Sequence, residues 1–353
     1  RGLFKRLRGA LPLWIYIAYV GAVTLGVLAS SFPTLTLFRA ANLVAALLVI
    51  IGAFQTGGAQ AIRRLMKVLL WFMVFHLLTV WFWVFVQPHV ALRHTTSPFP
   101  YRIEGHFPAM STDRIGEYGV ILFFWGIASF IGLGQDRIIS SRRWCVVLSL
   151  FGATSLLFAQ YRTGYVAMVV GIGVLLVVRR KWLWIFLCAA AGGASLLVPG
   201  VLSFLLRGQS VGVASQGSGR DTLWSAAIPI WKHSPIIGNG LETASRFDVL
   251  ANLGRGFTST LHSTWVEALV GTGVLGTALV ASCVLLVLWR AFRMAMRGGS
   301  MAPLLIVIIL IVRSVTGTSF EAFSLESMLF LVIAMAVPKR GIEAPTVETV
   351  PGG

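Results

Sequence analysis

Apolar runs of roughly membrane-spanning length dominate the sequence. A helix needs about 20 predominantly apolar residues to cross the hydrocarbon core of a bilayer. Ten runs approach or reach that length, at residues 11–30, 35–54, 68–87, 117–134, 144–160, 164–178, 182–199, 264–289, 302–320 and 325–338. Because 57% of the residues are hydrophobic and only 12% are charged, most of the chain is unsuited to a water-exposed surface. The sequence therefore predicts an all-α integral membrane protein with about ten transmembrane helices.

Lysine and arginine residues are concentrated at the two termini and between alternate apolar runs. These positions hold 18 of the 29 Lys and Arg residues and so account for most of the net charge of +17. The clusters are Arg1, Lys5, Arg6 and Arg8; Arg63, Arg64 and Lys67; Arg137, Arg142 and Arg143; Arg179, Arg180 and Lys181; Arg290, Arg293 and Arg297; and Lys339 and Arg340. The positive-inside rule predicts that both termini are cytoplasmic. Because the cations follow the topology rather than form one patch, we expect no nucleic-acid binding.

The sequence predicts neither a metal site nor a nucleotide cofactor. His89, His94 and His106 lie in an outer loop at residues 88–114, but spacings of five and twelve residues match no compact metal-ligand motif. We interpret that loop as solvated, with at most a lid or substrate-contact role. Gly271-Thr-Gly-Val-Leu-Gly276 matches the dinucleotide fingerprint, yet it lies within an apolar run without a preceding strand. We expect its small residues to allow close helix packing in the bilayer.

The longest stretch without a membrane-length apolar run covers residues 199–263. It separates about seven N-terminal helices at residues 1–198 from about three C-terminal helices at residues 264–340, with a cytoplasmic tail at residues 341–353. The charge pattern assigns this long loop to the outer side of the membrane. Because many of the ionisable residues outside the basic clusters lie in it, we interpret the loop as an extracytoplasmic catalytic region.

A short amphipathic helix is expected within the long loop. Ser218 and Gly219 are suitable caps for a helix over residues 220–232, and Asp221 is an acidic residue in its first turn. Pro229 leaves open whether the helix bends or ends there. The residues predicted to share its apolar face are Leu223, Ala227, Ile230 and Trp231. Such a helix would lie on the membrane surface or cover a cavity.

Four ionisable residues lie in or at the edges of the predicted spans. Charged groups at membrane depth are costly unless they are paired or face a wet cavity, so Arg39, Arg162, Glu267 and Arg313 are functional candidates. Arg162 lies at a tight helix hairpin, where a function and simple snorkelling to the interface remain equally open. Arg39 and Arg313 lie near the outer boundary, and we expect them to snorkel or to pair with Glu267 or Glu321.

Three motifs resemble the O-antigen ligase and polymerase superfamily in their order and spacing. The first is Gln160-Tyr-Arg162-Thr-Gly164 at the helix hairpin. The second is Gly219-Arg220-x-x-x-Trp224 followed by Pro235-x-x-Gly238-x-Gly240 in the long loop. The third is Leu261-His262-Ser263 with the glycines up to Gly276 in the next helix. The resemblance covers roughly residues 140–335, whereas the N-terminal third matches only in hydropathy.

Members of that superfamily typically have about twelve helices, with the long loop between the ninth and the tenth. Here the predicted loop follows the seventh run. A further helical hairpin upstream of the printed sequence would account for this shift and for a first residue other than Met; a divergent member with ten helices is the alternative. Ser263 stands where the family often has Asn after the histidine.

The resemblance implies a glycosyltransferase of the bacterial inner membrane with a periplasmic active site and no cofactor. An O-antigen ligase transfers a glycan from undecaprenyl diphosphate to a sugar hydroxyl of the lipid A-core. Arg162 and Arg220 would bind the donor diphosphate, and His262 would act as the general base. The candidate supporting residues are Arg313, Glu267 and Arg246. With one base, single displacement with inversion is the simplest stereochemical course.

Several alternatives remain at this stage. An O-antigen polymerase uses the same donor with a second lipid-linked glycan as acceptor. Protein O-oligosaccharyltransferases share the motifs but usually carry further C-terminal segments. A transporter of lipid-linked glycans belongs to a different class, and two equivalent halves with broken helices would be expected of it. Asp221 or Glu242 as a carboxylate nucleophile is disfavoured, because retaining chemistry needs two carboxyl groups about 5 Å apart.

Overall fold

The computed structural model describes residues 10–95, 100–132, 139, 141–195, 200–201, 220–250, 253 and 260–337. Its helices are α1 (Leu11–Leu25), α2 (Pro33–Val86), α3 (Pro88–Ala91), α4 (Thr112–Ile131), α5 (Arg142–Ala159), α6 (Arg162–Val178), α7 (Trp182–Ser195), α8 (Arg220–His233), α9 (Thr264–Met296), α10 (Ala302–Ser314) and α11 (Leu325–Ala336). A 3-10 turn, Gly26–Ala29, extends α1, and a π-helix, Ala244–Leu250, lies in the long loop. The predicted cap at Ser218 and Gly219, Arg137, both basic termini and the tail at residues 341–353 lie outside the described residues.

The helices confirm the prediction of an all-α membrane protein. Five described segments are long and apolar enough to cross a membrane: Leu11–Ala29, Pro33–Val86, Thr112–Ile131, Arg142–Ala159 and Thr264–Met296. Shorter apolar helices are α6, α7, α10 and α11. These apolar helices overlap the predicted apolar runs, and α2 covers two of the runs.

Helix α2 is broken at Gly58, whose φ of 54° lies in the left-handed region that favours glycine. Phe32, just before α2, packs its ring on Phe247 in the long loop. Near the other end, Trp81 donates a hydrogen bond to Ser155 close to the end of α5, at 3.0 Å. Both ends of α2 thus lie at the same end of the assembly, so the chain reverses its direction around Gly58.

Turns and loops from five parts of the chain meet at one end of the helix assembly, which we call the loop end. They are residues 26–32, residues 87–95 and 100–111, residues 160–161, the described part of residues 234–263, and residues 315–324. Gln160 donates to the carbonyl of Tyr101 at 3.1 Å, Ser31 donates to Asp248 at 3.4 Å, and the Thr163 and Thr316 hydroxyl groups are 2.7 Å apart. The charge pattern assigned these segments to one side of the membrane, and the structure brings them together.

Two local predictions need correction. The run at residues 302–320 does not form one helix, because α10 ends at Ser314 and the residues after it make contacts with α6 and α9 instead. The loop at residues 88–114 is more than a solvated loop. It contains α3 and an antiparallel hairpin of β1 (Leu92–His94) and β2 (Tyr101–Ile103), in which Leu92 pairs with Ile103. Ile103 is buried in the main core, which holds the hairpin against the helices.

Helices α4 and α5 approach each other closely at positions that are occupied by small residues. A β-carbon on Gly119 would lie 2.7 Å from the carbonyl oxygen of Gly152, which is too close for any real contact. Close backbone approach is a common basis of helix association in membranes, because lipid provides no hydrophobic driving force. By contrast, none of the 14 residues of α7, all of them described, is buried. Such an apolar surface fits contact with lipid.

We expect Gly119→Ala to destabilise the protein, because α4 and α5 would have to move apart. Overpacking of this kind costs about 1–3 kcal/mol. The measurement is the thermal unfolding midpoint of detergent-purified variants. The matched control is Gly173→Ala in α6, where a β-carbon would have no described atom within 4 Å. Equal midpoints for the two variants would contradict the packing of α4 on α5 described here.

Candidate functional site

Arg162 is the first residue of α6 and lies at the loop end. Gln160 ends α5 in the left-handed conformation, with φ of 50°, so the chain turns from α5 to α6 within two residues. Tyr161 is buried against α4, where a β-carbon on Gly116 would lie 2.9 Å from the Tyr161 ring. This packing holds the turn, and with it the start of α6, against the helix assembly.

Arg220 lies near Arg162, at the first described residue of α8. The Arg220 guanidinium lies within electrostatic range of the Arg162 guanidinium. The predicted helix is confirmed, and it continues past Pro229 to His233. Leu223 and Ala227 are buried and form a second apolar cluster with residues that include Leu261 and Val270; Ile230 and Trp231 pack against it.

The Pro235-x-x-Gly238-x-Gly240 segment fills a break in α9. Gly273 has a non-helical φ of 64°, which interrupts the helix within its apolar part. Asn239 N–H donates to the Val270 carbonyl at 2.9 Å, and Val274 N–H donates to the Pro235 carbonyl at 2.9 Å. The loop backbone thus satisfies groups that the break leaves without helical partners. The glycines of the dinucleotide-like pattern therefore admit a loop segment, rather than serving only the helix packing that we expected.

His262 lies two residues before α9, in a left-handed conformation with φ of 51°. Its N–H donates to the Thr260 hydroxyl at 3.3 Å, and its side chain is half-buried. Helix α9 begins at Thr264 with Ser263 as its N-cap residue, so His262 stands outside the cap position. On the preceding residue, the Leu261 carbonyl accepts a hydrogen bond from the Trp224 indole at 2.9 Å. Trp224 thus ties the Arg220 helix directly to the residue next to His262.

The turn after α10 connects the start of α6 to the start of α9. The hydroxyl groups of Thr163 and Thr316 are 2.7 Å apart. One residue further, the Gly317 carbonyl accepts from Thr264 N–H at 2.9 Å. Ser319 N–H in turn donates to the Thr264 hydroxyl at 2.9 Å. The beginnings of the Arg162 helix and the His262 helix are therefore held by one short segment.

These contacts connect the segments that carry Arg162, Arg220 and His262 to one another. Arg162 and Arg220 are electrostatic neighbours, Trp224 joins the Arg220 helix to Leu261, and residues 316–319 join α9 to α6. Segments far apart in sequence are thereby brought to one place at the loop end. Two guanidinium groups and one imidazole in such a place suit an anionic substrate that must also exchange a proton.

Comparison with protein families gives a match to part of the chain. Residues 145–281 match a family model described as O-antigen ligase. The match supports membership of the O-antigen ligase/polymerase family. Members of this family are glycosyltransferase-like enzymes of lipopolysaccharide and glycan biosynthesis. The matched range contains Arg162, Arg220 and His262, and no curated protein matches the chain.

Arg313 is a buried ion-pair partner in the helix core. Its Nε lies 2.5 Å from Glu117 of α4, and its side chain is 9% exposed. Glu326 of α11 is also buried and lies 3.6 Å from Arg114. The expectation that Arg313 snorkels or pairs with Glu267 or Glu321 is therefore wrong. Helix α10 faces α4 at this depth, which brings Glu117 rather than Glu267 within reach of Arg313.

Arg39 and Arg246 both pair with Glu242. The distances are 2.9 Å from Arg39 and 3.4 Å from Arg246, so one carboxylate of the long loop holds the beginning of α2 and the π-helix together. Arg39 does pair, as expected, but its partner is neither Glu267 nor Glu321. Close by, partial burial raises the pKa of the Asp248 carboxyl above its usual range.

Glu267 is buried and forms hydrogen bonds with two parts of the long loop, the π-helix and the segment before α9. Its carboxylate accepts hydrogen bonds from the Ser245 hydroxyl and from Leu261 N–H. Glu117 and Glu326 were not predicted from the sequence, although both lie at the beginning of apolar runs. The signal that would have identified them is the same cost of charge at membrane depth that identified Arg313.

We expect the Thr163 and Thr316 hydroxyl groups to be energetically coupled. Thr163→Val and Thr316→Val each remove the 2.7 Å hydrogen bond, and a hydrogen bond contributes about 0.5–1.5 kcal/mol to stability. The double variant should therefore be little less stable than either single variant. The measurement is the free energy of unfolding in mixed detergent micelles. Fully additive losses would show that this turn does not connect α6 to α9.

Proposed function

We propose that the protein is an O-antigen ligase. It would transfer O-antigen polysaccharide from undecaprenyl diphosphate to a sugar hydroxyl of the lipid A-core, at the periplasmic face of the inner membrane. The observation that carries the proposal is the convergence of Arg162, Arg220 and His262 at the loop end, within a chain whose family acts on glycans. The lipid bilayer would deliver both lipid-linked substrates laterally.

The two arginines provide a place for a diphosphate. Like charges held in range of each other are unfavourable, so an anion between Arg162 and Arg220 would convert repulsion into attraction. The guanidinium group is a planar fork that binds phosphate oxygens bidentately. As the glycosidic bond breaks, the departing diphosphate gains negative charge, which fixed guanidinium groups stabilise without needing a metal ion.

His262 is the proposed general base. The acceptor hydroxyl oxygen attacks the anomeric carbon while the bond from that carbon to the diphosphate oxygen breaks. The hydroxyl proton passes to the imidazole, and the bonding electron pair leaves with undecaprenyl diphosphate. Only the neutral imidazole can accept this proton, so the proposed base acts in its neutral form. A single displacement of this kind inverts the anomeric configuration.

The supporting residues act at a distance in this scheme. Arg313 would hold α4 and α10 together through Glu117, and Arg246 would hold the π-helix through Glu242. The Arg246–Glu242 ion pair lies at the loop end, and the Arg313–Glu117 ion pair lies just below it. Glu267 has a more specific position, next to the residue that precedes His262.

A transporter of lipid-linked glycans is less well supported. Broken helices in transporters use their free backbone groups to bind substrate or ions in a cavity. At Gly273 the backbone groups of Val270, Gly271 and Val274 instead pair with residues 235–240. The break therefore has a structural occupant from the same chain.

An O-antigen polymerase remains an equally supported second candidate, because the family includes both activities. Gel electrophoresis of lipopolysaccharide from a deletion strain separates them. For a ligase we expect core without long chains and an accumulation of lipid-linked polymer. Core that carries a single repeat unit would identify a polymerase instead. Unchanged lipopolysaccharide would contradict both activities.

For the donor site, we expect Arg162→Ala and Arg220→Ala each to lower transfer by about 10²–10³-fold, the usual effect of removing one charge-stabilising donor. Arg→Lys should restore little, because an ammonium cannot copy the bidentate geometry. The measurement is transfer by purified enzyme with lipid-diphosphate glycan as the donor. Arg93→Ala is the control, since its side chain is 63% exposed and faces Glu104 on the hairpin. Wild-type rates in both Ala variants would remove the arginines from the mechanism.

For the base, we expect His262→Asn and His262→Ala to fold, to bind donor and to lose transfer by about 10²–10⁴-fold. An imidazole must be neutral to accept a proton, so the wild-type rate should fall on acidification. That acidic limb should be absent from the residual activity of the variants. His106→Asn, in the outer loop, serves as the control. If His262→Asn ligates at the wild-type rate, the histidine has only a structural role.

A further inference from the structure

The backbone around His262 is held in a strained conformation from both sides. A left-handed φ of 51° is unfavourable for a residue with a β-carbon, and such strain persists only where the surroundings determine it. On the C-terminal side, Thr264 N–H donates to the Gly317 carbonyl at 2.9 Å. On the N-terminal side, Leu261 is bound through both of its backbone groups. The conformation of His262 is thus imposed by its neighbours.

The two partners of Leu261 come from different elements. Its carbonyl accepts from the Trp224 indole of α8, at 2.9 Å. Its N–H donates to the carboxylate of Glu267 in the first turn of α9, at 3.3 Å. Glu267 itself is 1% exposed, and its other oxygen accepts from the Ser245 hydroxyl of the π-helix. One buried carboxylate therefore ties the π-helix, the beginning of α9 and the residue before His262 together.

Burial of a carboxylate at this depth costs free energy, and packing alone does not explain why a carboxylate is present. A leucine or methionine would fill the same volume without burying a charge or a polar group. Within the part of the chain that the structure describes, Glu267 accepts from Ser245 and Leu261 and has no arginine partner. Glu117 and Glu242, by contrast, pair with arginines. The hydrogen bonds of Glu267 therefore act on the backbone conformation of the segment that contains His262.

We propose that Glu267 is a positioning residue that acts through Leu261 to hold His262 in its left-handed conformation. This inference rests on the proposed function, because it assigns His262 as the base whose placement matters. A displacement of about 1 Å in a catalytic group can lower a rate by about 10²-fold. Loss of the Glu267 contact would therefore reduce turnover while leaving the arginine pair and donor binding in place.

The test compares Glu267→Ala, Glu267→Gln and a matched control. Glutamine keeps an oxygen that can accept from Leu261 N–H, whereas alanine does not. Thr272→Val is the control, because Thr272 is buried five residues further along α9 and its hydroxyl donates to its own helix at Ala268, at 2.7 Å. We expect Glu267→Ala to lower kcat about 10–100-fold with the KM for donor unchanged. Glu267→Gln should retain most of the activity, and Thr272→Val all of it.

A double variant distinguishes positioning from general stabilisation. If Glu267 acts through His262, the pair Glu267→Ala and His262→Asn should be no slower than His262→Asn alone. Multiplicative losses, or a rise in the KM for donor as the main effect of Glu267→Ala, would overturn the proposal.

Amide hydrogen exchange tests the same contact without any activity measurement. In the full-length protein in detergent, exchange at Leu261 should accelerate in Glu267→Ala and stay near wild type in Glu267→Gln and Thr272→Val. Unchanged protection at Leu261 in Glu267→Ala would overturn the positioning role whatever the reaction is. Accelerated exchange with no glycan transfer by the wild-type protein would instead leave the contact in place and contradict the proposed function.

Discussion

Backbone N–H and carbonyl groups inside a bilayer must form hydrogen bonds within the protein. The break in α9 at Gly273 is tolerated because this requirement is met. Water is absent from the hydrocarbon core of a bilayer, so an unsatisfied N–H or carbonyl group in that core costs several kcal/mol. Residues 235–240 supply the missing partners to Val270, Gly271 and Val274. The long loop is thereby attached to the membrane-embedded part of the chain. The positions of α8 and of the His262 segment follow from that attachment.

Attachment of the loop explains how a small extramembrane part can hold a defined site. Trp224 and Glu267 bind Leu261 from two sides, and residues 316–319 connect the beginnings of α6 and α9. Each of these contacts is a hydrogen bond between elements that are already packed on the helix core. A site built in this way needs no separate folded domain, and it stays close to the bilayer from which lipid-linked substrates would enter.

Buried ion pairs have a different role in the same structure. The desolvation of a charge is offset only when a partner is held at close range, so pairs such as Arg313 with Glu117 depend on the packing of their helices. Arg162 and Arg220, at the loop end, are electrostatic neighbours of each other. The structure thus contains cation–carboxylate pairs in the core and two neighbouring cations at the loop end.

Much of this protein was predictable from sequence, because the physical signals are local. Apolar length identified the membrane class, and helical periodicity identified the apolar face of α8. The ion-pair partners were not predictable: Arg39 selects Glu242 and Arg313 selects Glu117, since partner choice depends on which helices face each other. The glycines at 271 and 273 also required the structure, because close helix packing and a loop inserted into a broken helix need the same small residues. The sequence by itself determined the membrane class, α8 and the candidate residues. Only the tertiary structure decided which candidate residues lie near each other and which contacts hold His262, because these contacts join segments that are far apart in the sequence.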